Sequence, residues 1–85
     1  MTWMTRFDRH ADLVGRMSET LGVDLAEEAL RGTLPPEDLR ATILNCMSCS
    51  GAGACASWLD AHSSGSEATP SYCRNKARLE SLASA

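Results

Sequence analysis

All four cysteines of this 85-residue chain lie in its second half, at a spacing that suits a metal site. The pattern is C-x2-C-x5-C, then seventeen residues and a last cysteine, and its members are Cys46, Cys49, Cys55 and Cys73. Four thiolates can complete a tetrahedral shell around zinc or hold an iron–sulfur cluster. We therefore predict one four-cysteine site in which these residues bind the metal or cofactor, and we refer to them as the cysteine set.

Two other uses of the cysteine set compete with metal binding. Four cysteines allow three disulfide connectivities, and small secreted domains use such bridges. However, residues 1–10 carry several charged side chains and lack the apolar stretch of a secretion signal. Single buried cysteines are common, but four of them with a C-x2-C pair favour a metal. We expect a cytoplasmic protein with reduced thiols.

The spacing leaves both iron and zinc open. Zinc ribbons usually carry two C-x2-C pairs, whereas only Cys46 and Cys49 form such a pair here. A cluster is wider than a single ion, so its ligands can come from separate helix ends. We therefore expect a [4Fe–4S] cluster, with Zn²⁺ as the alternative cofactor. His62 is a further candidate ligand for a zinc site of three thiolates and one imidazole.

The elements that position the cysteine set are predicted to be helices. Apolar periodicity and helix-end signals indicate an all-α fold, a small bundle of about five short helices around the site. The expected helices cover residues 2–21, 25–31, 36–47 and 55–62, and a fifth begins at Thr69 and Pro70. The second helix is expected to bury Leu25, Ala26, Ala29 and Leu30, and Asp24 and Glu27 to form its capping box. The length allows one domain, residues 1–85.

Around the cysteines, the local sequence suggests how thiolates are stabilised. Cys55 is expected to begin the fourth helix, where the helix dipole and free N–H groups favour a thiolate. Cys73 is expected in the first turn of the fifth helix. Gly51 and Gly53 are expected to adopt positive φ and to donate N–H groups to the sulfurs. Trp58 is expected to shield the site from water.

The triplet Cys46, Cys49 and Cys55 resembles the cluster motif of two iron–sulfur families. These are the helix-hairpin-helix DNA glycosylases and the WhiB-like transcriptional regulators, and the resemblance implies a [4Fe–4S] cluster held among short helices. In both families the fourth ligand precedes the triplet, whereas Cys73 follows it. The glycosylase catalytic region and the regulators' glycine-rich turn and basic tail have no counterpart here, so the DNA-related functions do not carry over.

From Leu21 to Asn75, the chain also resembles a family of short proteobacterial proteins classed as a domain of unknown function. The shared pattern is C-x2-C-x5-C-x2-W-L, followed by P-x-Y-C-x-N. Besides the cysteines, it is carried by Trp58, Leu59, Pro70, Tyr72 and Asn75. The resemblance implies a cytoplasmic bacterial protein that stands alone rather than as part of an enzyme.

Charge and motif content narrow the function classes. The net charge is −3 and no basic run is present, which disfavours nucleic acid as a partner, and no apolar run suits a membrane span. No GxxxxGK[ST] or HExxH motif occurs. A cysteine nucleophile with His62 as its base would leave three cysteines unexplained. We expect a non-enzyme, an electron carrier or redox sensor that partners another protein; the alternative is a zinc-stapled protein-interaction module.

Overall fold

A computed structural model describes residues 5–84, which form five helices. They are α1 (Arg6–Thr20), α2 (Leu25–Arg31), α3 (Pro36–Met47), α4 (Ala52–Ala61) and α5 (Lys76–Ser84). Residues 5–84 contain no strand, so the predicted all-α fold of about five helices is confirmed. Within the same range, no helix combines the length and the apolar character that crossing a membrane requires. Residues 2–4 of the predicted first helix lie outside the described residues.

Side-chain caps begin the first two helices. The Thr5 hydroxyl accepts the Asp8 N–H at 3.1 Å and the Asp8 carboxylate accepts the Thr5 N–H at 3.2 Å, a reciprocal capping box that starts α1 at Arg6. Asp24 caps α2 by accepting the Glu27 N–H at 3.2 Å. The capping box also predicts that the Glu27 carboxylate accepts the Asp24 N–H. That carboxylate instead pairs with Arg31 at 2.6 Å.

The predicted buried side of α2 is wrong. The bounds of the helix match the prediction, but none of its residues is buried and Leu30 is 89% exposed. Leu25 is only partly buried against the core. The segment is anchored instead by the buried residues Val23 and Leu34 on either side of it. A seven-residue helix between two such anchors can lie on the surface without burying a face of its own.

The core forms where α1, α4 and α5 meet. α1 packs against both α3 and α4. A cluster of buried apolar side chains joins the elements, with Leu59 from α4 and Leu79 from α5 at 3% and 1% exposure. The other buried members are Met17, Leu21 and Val23. Cys55 and Trp58 are partly buried against this cluster, which connects the core directly to the cysteine set.

The connection between α4 and α5 is tied to the rest of the fold. The Ser66 N–H donates to the Thr20 carbonyl at 2.9 Å, and the Thr69 N–H donates to the Glu80 carboxylate at 3.0 Å. Thr69 and Pro70 are both buried. The prediction that these two residues begin the fifth helix is therefore wrong: they pack against the body of the protein, and α5 starts only at Lys76.

Candidate metal centre

The cysteine set comes from three separate segments. Cys46 lies in the last turn of α3, and Cys49 follows the helix, beyond its C-cap Ser48. Cys55 lies inside α4, and Cys73 belongs to the turn that precedes α5. All four thiols are free and of intermediate burial. The fold therefore brings cysteines distant in sequence to one side of the core.

Three of these cysteines line one small internal cavity. Its volume is about 20 Å³, enough for about one water-sized sphere. Most of its surface is apolar. The lining residues are Leu13, Val14, Met17, Cys46, Cys55, Cys73, Asn75 and Leu79. We call this space the cysteine cavity, and Cys46, Cys55 and Cys73 the inner cysteines.

Cys49 lies in a tight turn outside the lining of that cavity. Its N–H donates to the Cys46 carbonyl at 3.1 Å, which turns the chain directly after α3. The Cys49 Sγ accepts the Gly51 N–H at 3.4 Å and lies 3.8 Å from the Tyr72 carbonyl oxygen, to which its S–H can donate. The predicted N–H bond from Gly51 to a sulfur is thus present, and it reaches Cys49.

The predicted placement of Cys55 at a helix start is wrong. α4 begins at Ala52, with Gly51 as its N-cap residue. The Cys55 N–H donates to the Gly51 carbonyl at 2.7 Å, so it is already used within the helix. Gly53 lies in the first turn of α4, and neither it nor Gly51 has a positive φ. The small residues of this segment extend the helix, because alanine favours helix and nothing forces the chain to turn.

Cys73 is held by turns rather than by the helix that was predicted to carry it. Its N–H donates to the Pro70 carbonyl at 3.1 Å, and its own carbonyl accepts the Lys76 N–H at 3.2 Å. Nearby, Asn75 is only 4% exposed, and its side-chain amide donates to the Thr42 carbonyl at 2.8 Å. Asn75 therefore fixes the Cys73 turn onto α3.

Burial and repulsion from neighbouring cysteines disfavour ionisation of Cys46 and Cys55. Burial, followed by the charges of Cys55, Cys49 and Cys73, raises the pKa of the Cys46 thiol from 9.0 to about 11. Burial also raises the pKa of Cys55, with Cys73 and Cys49 adding to the rise and Arg16 opposing it. The four thiols are therefore close enough to affect one another. A cation among them would supply the charge that thiolates need in this apolar setting.

The donor set fits a thiophilic metal in its chemistry, although the side chains are not gathered around one point. Among residues 5–84, no group of three or more His, Cys, Asp or Glu side chains is arranged to hold a metal ion. Three of the thiols nevertheless line one largely apolar space, and a backbone N–H donates to the sulfur of the fourth. Those are features that support thiolate ligands of zinc or of an iron–sulfur cluster.

His62 and Trp58 form a stacked pair in and just beyond the last turn of α4. Their ring centroids are 4.0 Å apart with planes 19° from parallel, and the His62 Nδ1 lies 2.8 Å from the Trp58 carbonyl oxygen. His62 does not line the cysteine cavity. Trp58 is partly buried against the core, and Leu59 beside it is buried.

Several polar residues around the site were missed from the sequence. No sequence pattern placed Arg78 near the site, but its guanidinium donates to the Thr42 hydroxyl at 2.7 Å and the Asp38 carbonyl at 2.9 Å. Arg6 donates to the Met47 carbonyl at 2.7 Å, at the end of α3 that carries Cys46. A cation at a helix C-terminus is favourable, but no sequence pattern indicates that Arg6 contacts Met47, forty-one positions further along the chain.

Fold and site together define a small all-α protein that gathers four free cysteines beside its core. The chain belongs to the family of unknown function DUF6455, whose model matches residues 1–85. This result bears out the predicted membership in a family without an assigned function. No curated protein and no solved structure matches the chain.

Proposed function

We propose that this protein holds a [4Fe–4S] cluster on the cysteine set and serves in the bacterial cytoplasm as an electron carrier or redox sensor for another protein. The observation that carries the proposal is the cysteine cavity, which three of the four thiols line. Burial, together with the neighbouring cysteines, raises the pKa of the Cys46 thiol to about 11, so a bound cation would be needed to hold it as a thiolate. A cluster bound there would supply one-electron redox chemistry.

The chain's own residues would set the properties of such a centre. Cys46, Cys55 and Cys73 would bind from inside the core, and Cys49 from the loop after α3. The apolar lining from Leu13, Met17 and Leu79 would limit water, and the Gly51 N–H would stabilise a thiolate at Cys49. Solvent access and hydrogen bonds to sulfur are two established influences on cluster potential. The triplet's resemblance to two cluster-binding families agrees with this assignment.

A second candidate is a zinc-stapled module that binds another protein and uses its metal only for stability. One specific observation favours it: the cysteine cavity, at about 20 Å³, is nearer the size of one ion than of a four-iron cluster. Zinc has no redox chemistry and suits a structural role. A cluster would not fit into the cavity as it stands, because the space holds only about one water-sized sphere. A single ion would instead draw the thiols together.

The test is metal analysis of protein purified without oxygen. We expect a brown protein with iron and sulfide in equal amounts and little zinc. Colourless protein with one zinc per chain, which also fails to form a cluster with added iron and sulfide, would establish the second candidate instead. A Cys73→Ser variant should lose the metal, whereas Ser71→Ala, a change at an exposed neighbour, should keep it. Two disulfides in freshly isolated protein would contradict both candidates.

A further inference from the structure

A groove with a volume of about 470 Å³ lies between α1 and the start of α2, and we call it the α1–α2 groove. Gly15 and Glu19 line its α1 side, and Asp24, Leu25 and Ala26 line its α2 side. It shares no lining residue with the cysteine cavity. Clefts that bind ligands have volumes of about 300–1,000 Å³. The groove is therefore large enough to take side chains of another molecule.

No contact within residues 5–84 explains why a glycine stands at position 15, in the interior of α1. A Cβ built on Gly15 would meet nothing within 4 Å beyond its own helix, and its φ is not positive. Glycine in a helix interior is destabilising relative to alanine. The missing side chain does, however, let another molecule approach the helix backbone closely. Gly15 thus leaves the α1 side of the groove open to such a contact.

The charge of the groove selects a cationic occupant. Glu19 and Asp24 are exposed, and no basic side chain lines the groove. Among residues 5–84, neither carboxylate takes part in an ion pair. Arg16, three residues before Glu19, pairs instead with Asp60 at 2.9 Å. These negative charges disfavour anionic lipid, nucleic acid and the same groove of a second copy, and they favour lysine and arginine side chains.

The second helix adds an apolar surface beside these charges. None of the residues of α2 is buried, and Leu25 is only partly covered by the core. Ala26 lines the groove, and Leu30, which is 89% exposed, follows it by four residues. Residues four apart lie on the same side of a helix. The groove and the adjoining side of α2 therefore combine apolar contacts with negative charge.

We propose that the α1–α2 groove binds an amphipathic, basic helix of another protein. Its apolar face packs over Gly15 and Leu25, and its lysine and arginine side chains face Glu19 and Asp24. A helix suits the site better than an extended segment, because residues 5–84 contain no strand edge to which a strand could be added. The inference goes beyond the proposed function and stands whether or not the cysteine set binds a metal.

The test is a titration of the isotope-labelled 85-residue protein, followed by nuclear magnetic resonance. The probe is a synthetic peptide of about fifteen residues, long enough to form a helix, with leucines on one face and lysines and arginines beside them. We expect saturable shifts of the amide signals of Gly15, Gly22 and Ala26, and weaker binding as salt is added. A peptide with glutamate in place of the basic residues should not bind.

Several outcomes of this titration would overturn the proposal. These are no saturable binding, equal binding of the basic and the acidic peptide, and shifts centred outside the α1–α2 groove. Shifts of the groove signals when the protein is concentrated without peptide would identify a second copy as the occupant, and would also overturn it.

Two pairs of variants locate the binding site. Gly15→Leu fills the α1 side of the groove and should abolish peptide binding, whereas Gly53→Leu, at another helical glycine with open space at its Cβ, should not. Glu19→Gln should weaken binding by up to about fivefold, the range of one exposed ion pair, and Glu67→Gln should leave it unchanged. Circular dichroism checks that each variant keeps its helices. Equal affinities within the glutamate pair would contradict the proposal even if Gly15→Leu fails to fold.

Discussion

At the scale of single residues, Gly51 shows how a glycine can be required without an unusual backbone. Its φ of −104° is open to any residue, so the predicted need for positive φ does not apply. The requirement comes from the Tyr72 ring, which occupies the space that a Cβ would fill. Gly53, two residues later, meets nothing within 4 Å and lies in a helix. The two glycines therefore form a matched pair for mutation.

We predict that Gly51→Ala displaces the Tyr72 ring, whereas Gly53→Ala does not. Crowding at Gly51 should cost about 1–3 kcal/mol of unfolding free energy, as is typical when a well-packed contact is overfilled. Alanine at position 53 should instead add about 0.5–1 kcal/mol, because glycine is a poor helix former. Urea unfolding followed by circular dichroism checks both values. A loss of stability in the first variant only would support the contact between the Tyr72 ring and Gly51, and equal changes in both variants would count against it.

At the scale of elements, α5 is fastened to α3 by polar contacts as well as by packing. Asn75 donates to the Thr42 carbonyl and accepts from the Asn45 side chain at 3.3 Å. One turn later, Arg78 contacts both Asp38 and Thr42. Thr42 is completely buried, so these bonds lie largely away from competing water. They hold in position the turn that carries Cys73.

We predict that Asn75→Ala destabilises the protein by about 1–3 kcal/mol, since it removes a buried side chain together with its hydrogen bonds to Thr42 and Asn45. Arg74→Ala is the control, because Arg74 is an exposed neighbour of Asn75 and its loss should cost less than about 0.5 kcal/mol. Thermal unfolding of the metal-free proteins measures the difference. If the two variants unfold alike, Asn75 does not carry the attachment of α5 that we assign to it.

The hydrogen bond from Thr69, in the α4–α5 connection, to the Glu80 carboxylate, in α5, should make the stability of the protein depend on pH. Hydrogen bonds from Lys76 and the Thr69 N–H lower the pKa of Glu80 below its ordinary 4.5. A carboxyl whose pKa falls on folding stabilises the protein above its unfolded pKa and loses that effect as pH falls through the folded value. We therefore expect Glu80 to contribute at neutral pH and to contribute progressively less below about pH 4.5.

Glu80→Gln should remove this part of the acid sensitivity. Melting temperatures measured from pH 7 down to pH 3 should fall less steeply for the variant than for the unaltered protein, although its stability at pH 7 should be lower. Glu67→Gln, which changes an exposed acid of the preceding loop, should leave the slope as it is. Parallel curves for Glu80→Gln and the unaltered protein would mean that the bonds to Glu80 do not bear on stability.

At the scale of the whole molecule, a small core bears most of the stability. Besides Pro70, only eight apolar residues are buried among those the structure describes, and Leu79 is the most completely enclosed of these eight at 1% exposure. It contributes both to the core cluster and to the lining of the cysteine cavity. Domains of this size often rely on a metal or another cross-link because so little apolar surface can be buried.

We predict that Leu79→Ala costs about 2–5 kcal/mol, the usual range for truncating a buried leucine. Leu30→Ala should change stability by less than about 0.5 kcal/mol, because Leu30 is 89% exposed. Since a core this small supplies only on the order of 5 kcal/mol, the first variant should be largely unfolded without metal at moderate temperature. Circular dichroism with and without metal tests this. If the two leucine variants unfold alike, Leu79 does not contribute to the core as we assign it.

The sequence alone determined the helical class and the bounds of α2 and α3, whereas its choice of the four cysteines as metal ligands stays a prediction. The helices follow from local rules, namely apolar periodicity and helix-end signals such as the Asp24 cap. Errors arose where distant segments compete for the same residues. Thr69 and Pro70 looked like a helix start, but Glu80 and the core hold them outside α5.

Only the tertiary structure decided how the cysteine set is arranged. Spacing did not distinguish the four thiols, whereas packing placed Cys46, Cys55 and Cys73 in the lining of the cysteine cavity and Cys49 outside that lining. It also left Leu30 in solvent. The physical reason is that burial is a property of contacts between segments far apart in sequence. Periodicity shows which face of a helix is apolar, but not whether another element will cover it.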